Sequence, residues 1–141
     1  MNLLHKNVVC FFEEMLSDLD CQDDTRAYII GIYGKYKTAN FDLSKDSVGL
    51  MFLEARYKND FATYQNIADW LLYTTTYTPS HLKFASKDYY DNVAQLSYYS
   101  CYRLINKQWK LYEQLSNDYV ILTDKIHRIF IKNGIALTPL D

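Results

Sequence analysis

The chain has 141 residues and a formal net charge of −2, with 49% apolar and 23% charged residues. That balance suits one globular domain spanning 1–141 and excludes disordered, collagenous and low-complexity classes. The mild acidity lacks the basic footprint of a nucleic-acid binder, and four glycines with two prolines disfavour a turn-dense all-β fold.

Apolar residues at helical spacing predict five or six helices. The first runs over about Asn2–Leu19, with Leu4, Val8, Phe11, Phe12, Met15 and Leu19 on one stripe. Its runs of apolar residues, such as Val8–Phe12, are too short for a membrane span, and Lys6, Glu13 and Glu14 interrupt any signal-peptide pattern. Residues 1–24 carry six carboxylates against Lys6 alone. This reads as a solvated helix end and acidic turn, or as an acidic docking patch. Asp23 or Asp24 caps a second helix over about Thr25–Lys37, striped by Tyr28, Ile29, Ile32, Tyr33 and Tyr36. Gly31 and Gly34 inside it either permit a close crossing or weaken the helix.

Ser44 is the expected N-cap of a third helix ending near Tyr57, and Asp60 that of a fourth through Phe61, Tyr64, Ile67, Ala68, Leu71 and Leu72. The stretch Tyr73–Thr78 has strand-like residues. It is read as the end of the fourth helix, because no partner strand is evident. Ser86 caps a fifth helix over about Lys87–Ile105, and Asn106 opens a sixth over about Lys107–Lys132, with Trp109, Tyr112, Leu115 and Tyr119 among the apolar positions of its core stripe. Asn133-Gly134 stops it, leaving Ile135–Asp141 as a surface tail. The fold class is therefore all-α, a single compact bundle.

The composition is distinctive in tyrosine, at 14 residues. Five lie on the fifth helix. Projection at about 100° per residue points Tyr89 and Tyr90 inward with Ala94, Ser97 and Cys101, and puts Tyr98 at the boundary. The same projection turns Tyr99 and Tyr102 outward beside Asp91, Asn92, Gln95 and Arg103. Tyrosines among amides make a contact surface, and Tyr99, Tyr102 and Gln95 are its candidate residues. A homodimer is the simplest partner.

Chemical motifs are sparse. His5, His81 and His127 show no metal-ligand spacing, no glycine loop cradles phosphate, and Cys10, Cys21 and Cys101 fit no zinc pattern. No catalytic residue, metal or cofactor is assigned. Odd, unmotifed cysteines suggest a reducing, cytoplasmic setting. Asp69 stands out because it interrupts the apolar run Ile67–Leu72. Inside a protein it needs donors, and Tyr73, Tyr90 and Tyr98 could supply them. That makes either a polar clasp between the fourth and fifth helices or a ligand pocket of Asp69, Tyr89, Tyr90, Tyr98 and His81.

The stretch from Asp69 to about Ile126 also resembles a family of uncharacterised bacterial all-helical proteins. Their pattern is Gly-Asp, a hydrophobic turn, Gly-Phe-Phe-Pro, Asp-Tyr-Tyr, a Gly, an Ala-Tyr pair and a final amphipathic helix. Here Ala68-Asp69 stands for Gly-Asp, and Thr76-Tyr77-Thr78-Pro79 for the Pro-ended turn. Asp88-Tyr89-Tyr90 matches directly, Ala94 takes the Gly position, Ser97-Tyr98 the Ala-Tyr pair, and Tyr112–Leu115 fits the last helix. Several glycines are replaced. The resemblance implies an all-helical fold and importance for Asp69, Tyr89, Tyr90 and Tyr98, and it implies no activity.

Two functions compete. One is a non-enzymatic interaction or scaffold module that self-associates through an aromatic helix face. The other is a small-ligand-binding domain or enzyme with an Asp/Tyr-lined pocket. Nucleic-acid binding is a distant third, since it needs the bases of the sixth helix gathered with Lys83 and Lys87.

Overall fold

The computed structural model describes residues 3–38 and 48–135. They form α1 (Leu3–Met15), α2 (Asp23–Thr38), α3 (Val48–Lys58), α4 (Phe61–Tyr77), a 3-10 turn (Pro79–His81), α5 (Lys87–Leu104) and α6 (Leu111–Lys132). The architecture is an all-α bundle arranged around α4, which packs against α2, α3, α5 and α6, while α5 also packs on α6 and α1 covers α2. Burial follows from that position. On α4, Tyr64, every residue from Ile67 to Leu72 and the threonines Thr74, Thr75 and Thr76 are buried, leaving little of the helix to water.

Local chemistry sets the helix ends. Asp60 accepts from the Thr63 backbone N–H at 3.4 Å and from the Thr63 hydroxyl at 2.7 Å, capping α4. Ser86 accepts from the Tyr89 N–H at 3.2 Å, capping α5. The helix persists through the β-branched Thr74–Thr76, all three of them buried in the bundle, and the Thr76 hydroxyl donates to the Leu72 carbonyl at 2.8 Å within its own helix. At the far end, Gly134 (φ 75°) closes α6 in a Schellman motif. Its N–H donates to the Ile131 carbonyl, and the Ile135 N–H donates to that of Phe130.

Several sequence expectations about the helices need correcting, and the expected caps Asp23 and Asp24 lie inside the first turn of α2. α1 stops at Met15, although Leu16 and Leu19 stay buried in the turn that follows. α6 opens at Leu111, four residues later than expected, because Asn106 and Lys107 close α5 in the left-handed region (φ 57° and 59°). The Lys107 N–H reaches back to the Tyr102 carbonyl at 3.0 Å and the Asn106 N–H to that of Arg103 at 3.1 Å, a second Schellman closure. Trp109 thus lies in the turn before α6, 45% exposed, and not on a core stripe. Asp91 is buried, its carboxylate paired with Lys87 at 2.5 Å, where helical projection turns it outward. The expected cap Ser44 and the tail beyond Ile135 lie outside the described residues.

An aromatic cluster joins four helices. Phe12 of α1 stacks on Tyr33 of α2 at 4.7 Å, and Phe130 of α6 meets both rings edge-on, at 6.0 and 5.3 Å. Tyr77 of α4 closes the group against Phe130 at 5.8 Å. Each such pair adds about 0.5–1.5 kcal/mol beyond its buried area. The acidic turn remains in water, with Asp18, Asp20, Asp23 and Asp24 exposed. Asp23 pairs with Arg26 at 2.9 Å and Asp20 with Lys125 at 3.7 Å.

The two glycines of α2 have opposite roles. A Cβ on Gly34 would sit 2.8 Å from Val9 Cγ2 and 3.1 Å from the His5 ring, so this glycine sets the approach of α1. A Cβ on Gly31 would meet nothing within 4 Å. Gly31→Ala is therefore expected to stabilise the protein by about 1 kcal/mol, the helix-propensity gain. Gly34→Ala is expected to destabilise it by about 1–3 kcal/mol through overpacking. Urea unfolding of both variants checks the pair, and equal effects would contradict this crossing.

Candidate functional site

The α4 spacing places Gln65 and Asp69 one turn apart on one face. That face meets three other helices. The Tyr28 hydroxyl of α2 donates to both Asp69 oxygens, at 2.9 Å to Oδ1 and 3.0 Å to Oδ2. The Tyr98 hydroxyl of α5 donates to Oδ1 at 2.8 Å. The Gln65 amide donates to the Tyr112 hydroxyl of α6 at 2.8 Å and to the Tyr28 hydroxyl at 3.3 Å. A chain of polar groups therefore runs through the bundle, with one or more links from each of α2, α4, α5 and α6.

The surroundings are apolar and aromatic. Tyr98 stacks over Tyr112 with ring centres 6.2 Å apart, and Tyr112 takes Tyr28, Phe61 and Trp109 edge-on at 5.4–5.7 Å. Half-exposed Trp109 also meets Tyr28 edge-on at 6.3 Å, covering the solvent side of the clasp. Asp69 is 6% exposed and, among the described residues, forms no ion pair.

Burial decides the electrostatics. Removal from water pushes the Asp69 carboxyl up to about 7, against the opposing pull of the Tyr98 and Tyr28 donors and of the more distant Lys35 ammonium. The same burial, followed by the Asp69 charge, raises the Tyr28 and Tyr98 phenols far out of the physiological range and keeps both as donors. The Cys101 thiol is raised by burial and by Asp69, so it is not a nucleophile near neutral pH.

Asp69 and Tyr98 meet between α4 and α5, and the cluster around them is wider than expected. Tyr28, Gln65 and Tyr112 belong to it, and sequence reasoning placed Tyr28 and Tyr112 on core stripes. The legible signal was Gln65, four residues before Asp69. Other candidates lie elsewhere. Tyr98 is fully buried and not at a boundary. Tyr90 is buried, but its hydroxyl accepts from the Phe84 N–H at 3.2 Å and pins the loop before α5. Tyr89 is 41% exposed, correcting its inward assignment, and touches Tyr90 edge-on. His81 is exposed on the 3-10 turn. Tyr73 packs on Tyr36 and Tyr77.

The outward group is also corrected. Tyr102 is 3% exposed, with Lys110 donating to its hydroxyl at 3.2 Å. Gln95 is half-buried; its amide donates to the Ser116 carbonyl at 3.2 Å, and the Ser116 hydroxyl donates to the Gln95 carbonyl at 2.8 Å. Gln95 belongs to the α5–α6 contact, and Tyr102 to the contact between α5 and the turn that precedes α6. Tyr99 remains outside, 42% exposed.

Several clefts open elsewhere. One of about 280 Å³ lies between the acidic turn and α6, lined by residues that include Asp20, Thr25, Gln114, Asp118 and Lys125. Two others flank α1, lined in part by Arg26 and Ile30 and by Phe11 and Tyr77. Among the described residues no three His, Cys, Asp or Glu side chains gather as a metal site. The three cysteines are unpaired, and no described helix is long and apolar enough to cross a membrane.

A buried carboxyl with a raised pKa makes stability fall with pH. Below the unfolded value of 3.8, Asp69 is neutral in both states and costs nothing. As pH rises from 3.8 toward about 7, the unfolded chain gives up this proton while the folded chain keeps it, so the folded state loses up to roughly 4 kcal/mol from this group, and the loss levels off above about 7. Asp69→Asn should remove that component. The difference in unfolding free energy between variant and wild type should shift in favour of the variant from about pH 4 to about pH 7 and then stay constant. A difference independent of pH would contradict the assignment.

Comparison with protein-family models, curated proteins and solved structures finds no match to this chain.

Proposed function

We propose that the protein is a non-enzymatic interaction module that self-associates through the outer face of α5. The observation that carries this reading is the exposure of Leu96 (55%) and Tyr99 (42%) on one side of a helix whose opposite side is buried against α4 and α6. Tyrosine and leucine held on a braced helix give contact area at low entropic cost. The Asp69 cluster supports the same reading by acting as a brace. Phenols of this chain already occupy both carboxylate oxygens, which favours a structural clasp over an Asp/Tyr ligand pocket. Unpaired cysteines favour a reducing compartment such as the cytoplasm. The likeness to bacterial helical proteins, carried by Asp88-Tyr89-Tyr90 and Ser97-Tyr98, adds a proposed bacterial origin and no activity.

Light scattering over a concentration series tests the reading. The mass of the wild type should rise toward that of a dimer, and Tyr99→Asp should hold the protein monomeric and folded, with a melting temperature equal to that of wild type at concentrations where both are monomers. Tyr102→Phe, which keeps the buried ring and removes only the hydroxyl that accepts from Lys110, should leave the association intact. A wild type that stays monomeric throughout would overturn the proposal.

A further inference from the structure

The outer stripe of α5 has a symmetry of its own. Asp88, Asn92, Leu96, Tyr99 and Arg103 are all exposed, and their spacing keeps them within about 80° of arc at about 100° per residue. Read from either end toward Leu96, the stripe presents a charge, then a polar group, then the apolar centre. The two charges are opposite. Reversing the helix about a point beside Leu96 superimposes Asp88 on Arg103 and Asn92 on Tyr99. A helix with that pattern is complementary to its own antiparallel copy.

We propose that α5 pairs with α5 of a second copy about a two-fold axis beside Leu96, so that Asp88 of each protomer meets the partner's Arg103. This rests on the self-association reading above and adds its partner, register and charge code. A two-fold contact presents the same patch on both sides and closes at two copies, the commonest symmetry among soluble oligomers. At about 1.5 Å per residue the stripe is about 22 Å long. Helices crossing at about 20° and about 8–10 Å apart bring both of its ends within reach of an arginine side chain. Leu96 packs beside its counterpart, and the Tyr99 hydroxyl lies opposite the partner's Asn92 amide. Asp88 and Arg103 are free for this role, since neither makes an ion pair among the described residues.

The helix dipole also favours an acid in the first turn and a base in the last, but it makes no demand on Leu96, Tyr99 or Asn92. It also predicts nothing about how variants combine, and the test uses that difference. Asp88→Lys and Arg103→Glu proteins are each prepared, their melting temperatures recorded, and their association measured by sedimentation equilibrium, alone and mixed. Each single variant sets like charges against each other at both ends and should self-associate at least about tenfold more weakly than wild type. Mixing the two should restore a heterodimer, because the lysine introduced in one variant then faces the glutamate introduced in the other, while the native Arg103 of the first faces the native Asp88 of the second. The double variant should likewise recover homodimerisation. Charge variants that associate like wild type, or a mixture that does not recover, would overturn this register. If Tyr99→Asp still dissociates that dimer, self-association through α5 stands and only the antiparallel register falls. A wild type that never dimerises removes both.

Discussion

The fold depends on a carboxyl group placed where no charge belongs. Asp69 faces the inside of the bundle from its central helix, and its only hydrogen-bond donors among the described residues are phenols from α2 and α5. Burying a carboxylate without a cation costs several kcal/mol, so the site is satisfied only when Tyr28, Tyr98 and the Gln65–Tyr112 pair all arrive in register. Apolar packing tolerates sliding, whereas a polar cluster of this kind does not. The cluster therefore fixes which way α2, α5 and α6 sit on α4, while the aromatic group around Phe12, Tyr33 and Phe130 ties α1, α2 and α6 together through buried rings.

This division of labour links the interior to the surface. Tyr98 and Tyr99 are adjacent on α5, about 100° apart around the helix, one buried and bonded to Asp69 and the other exposed. The Gln95–Ser116 pair holds the same helix against α6. A helix anchored on two sides presents its third side with little conformational freedom. Such an arrangement lowers the entropic cost of association, and on this account the tyrosines of α5 serve two faces of one helix.

Much of this was legible in the sequence. The caps at Asp60 and Ser86 and the stop at Asn133-Gly134 are short-range signals, each set by a side chain or backbone group a few residues away. Asp69 was legible because a lone acid inside Ile67–Leu72 violates the apolar pattern. What failed was the assumption that each helix has one buried face. α5 is packed by α4 on one side and by α6 on another, so its buried arc is wide enough to take in Asp91 and Tyr102. The late start of α6 was missed because Asn106 and Lys107 both adopt left-handed backbone, a state governed by the closure of α5 and not by residue type alone. Tyr28 was counted as core because its ring does lie among aromatic rings; only its hydroxyl reveals the second role.

The central claim is that Asp69 is held as a buried, phenol-bound acid, and the titration of its own carboxyl carbon by NMR tests that most directly. The account predicts a midpoint near pH 7 in the folded wild-type protein, well above that of an exposed aspartate. A midpoint near about 4, with the carboxylate ionised across the neutral range at no cost to the fold, would contradict it.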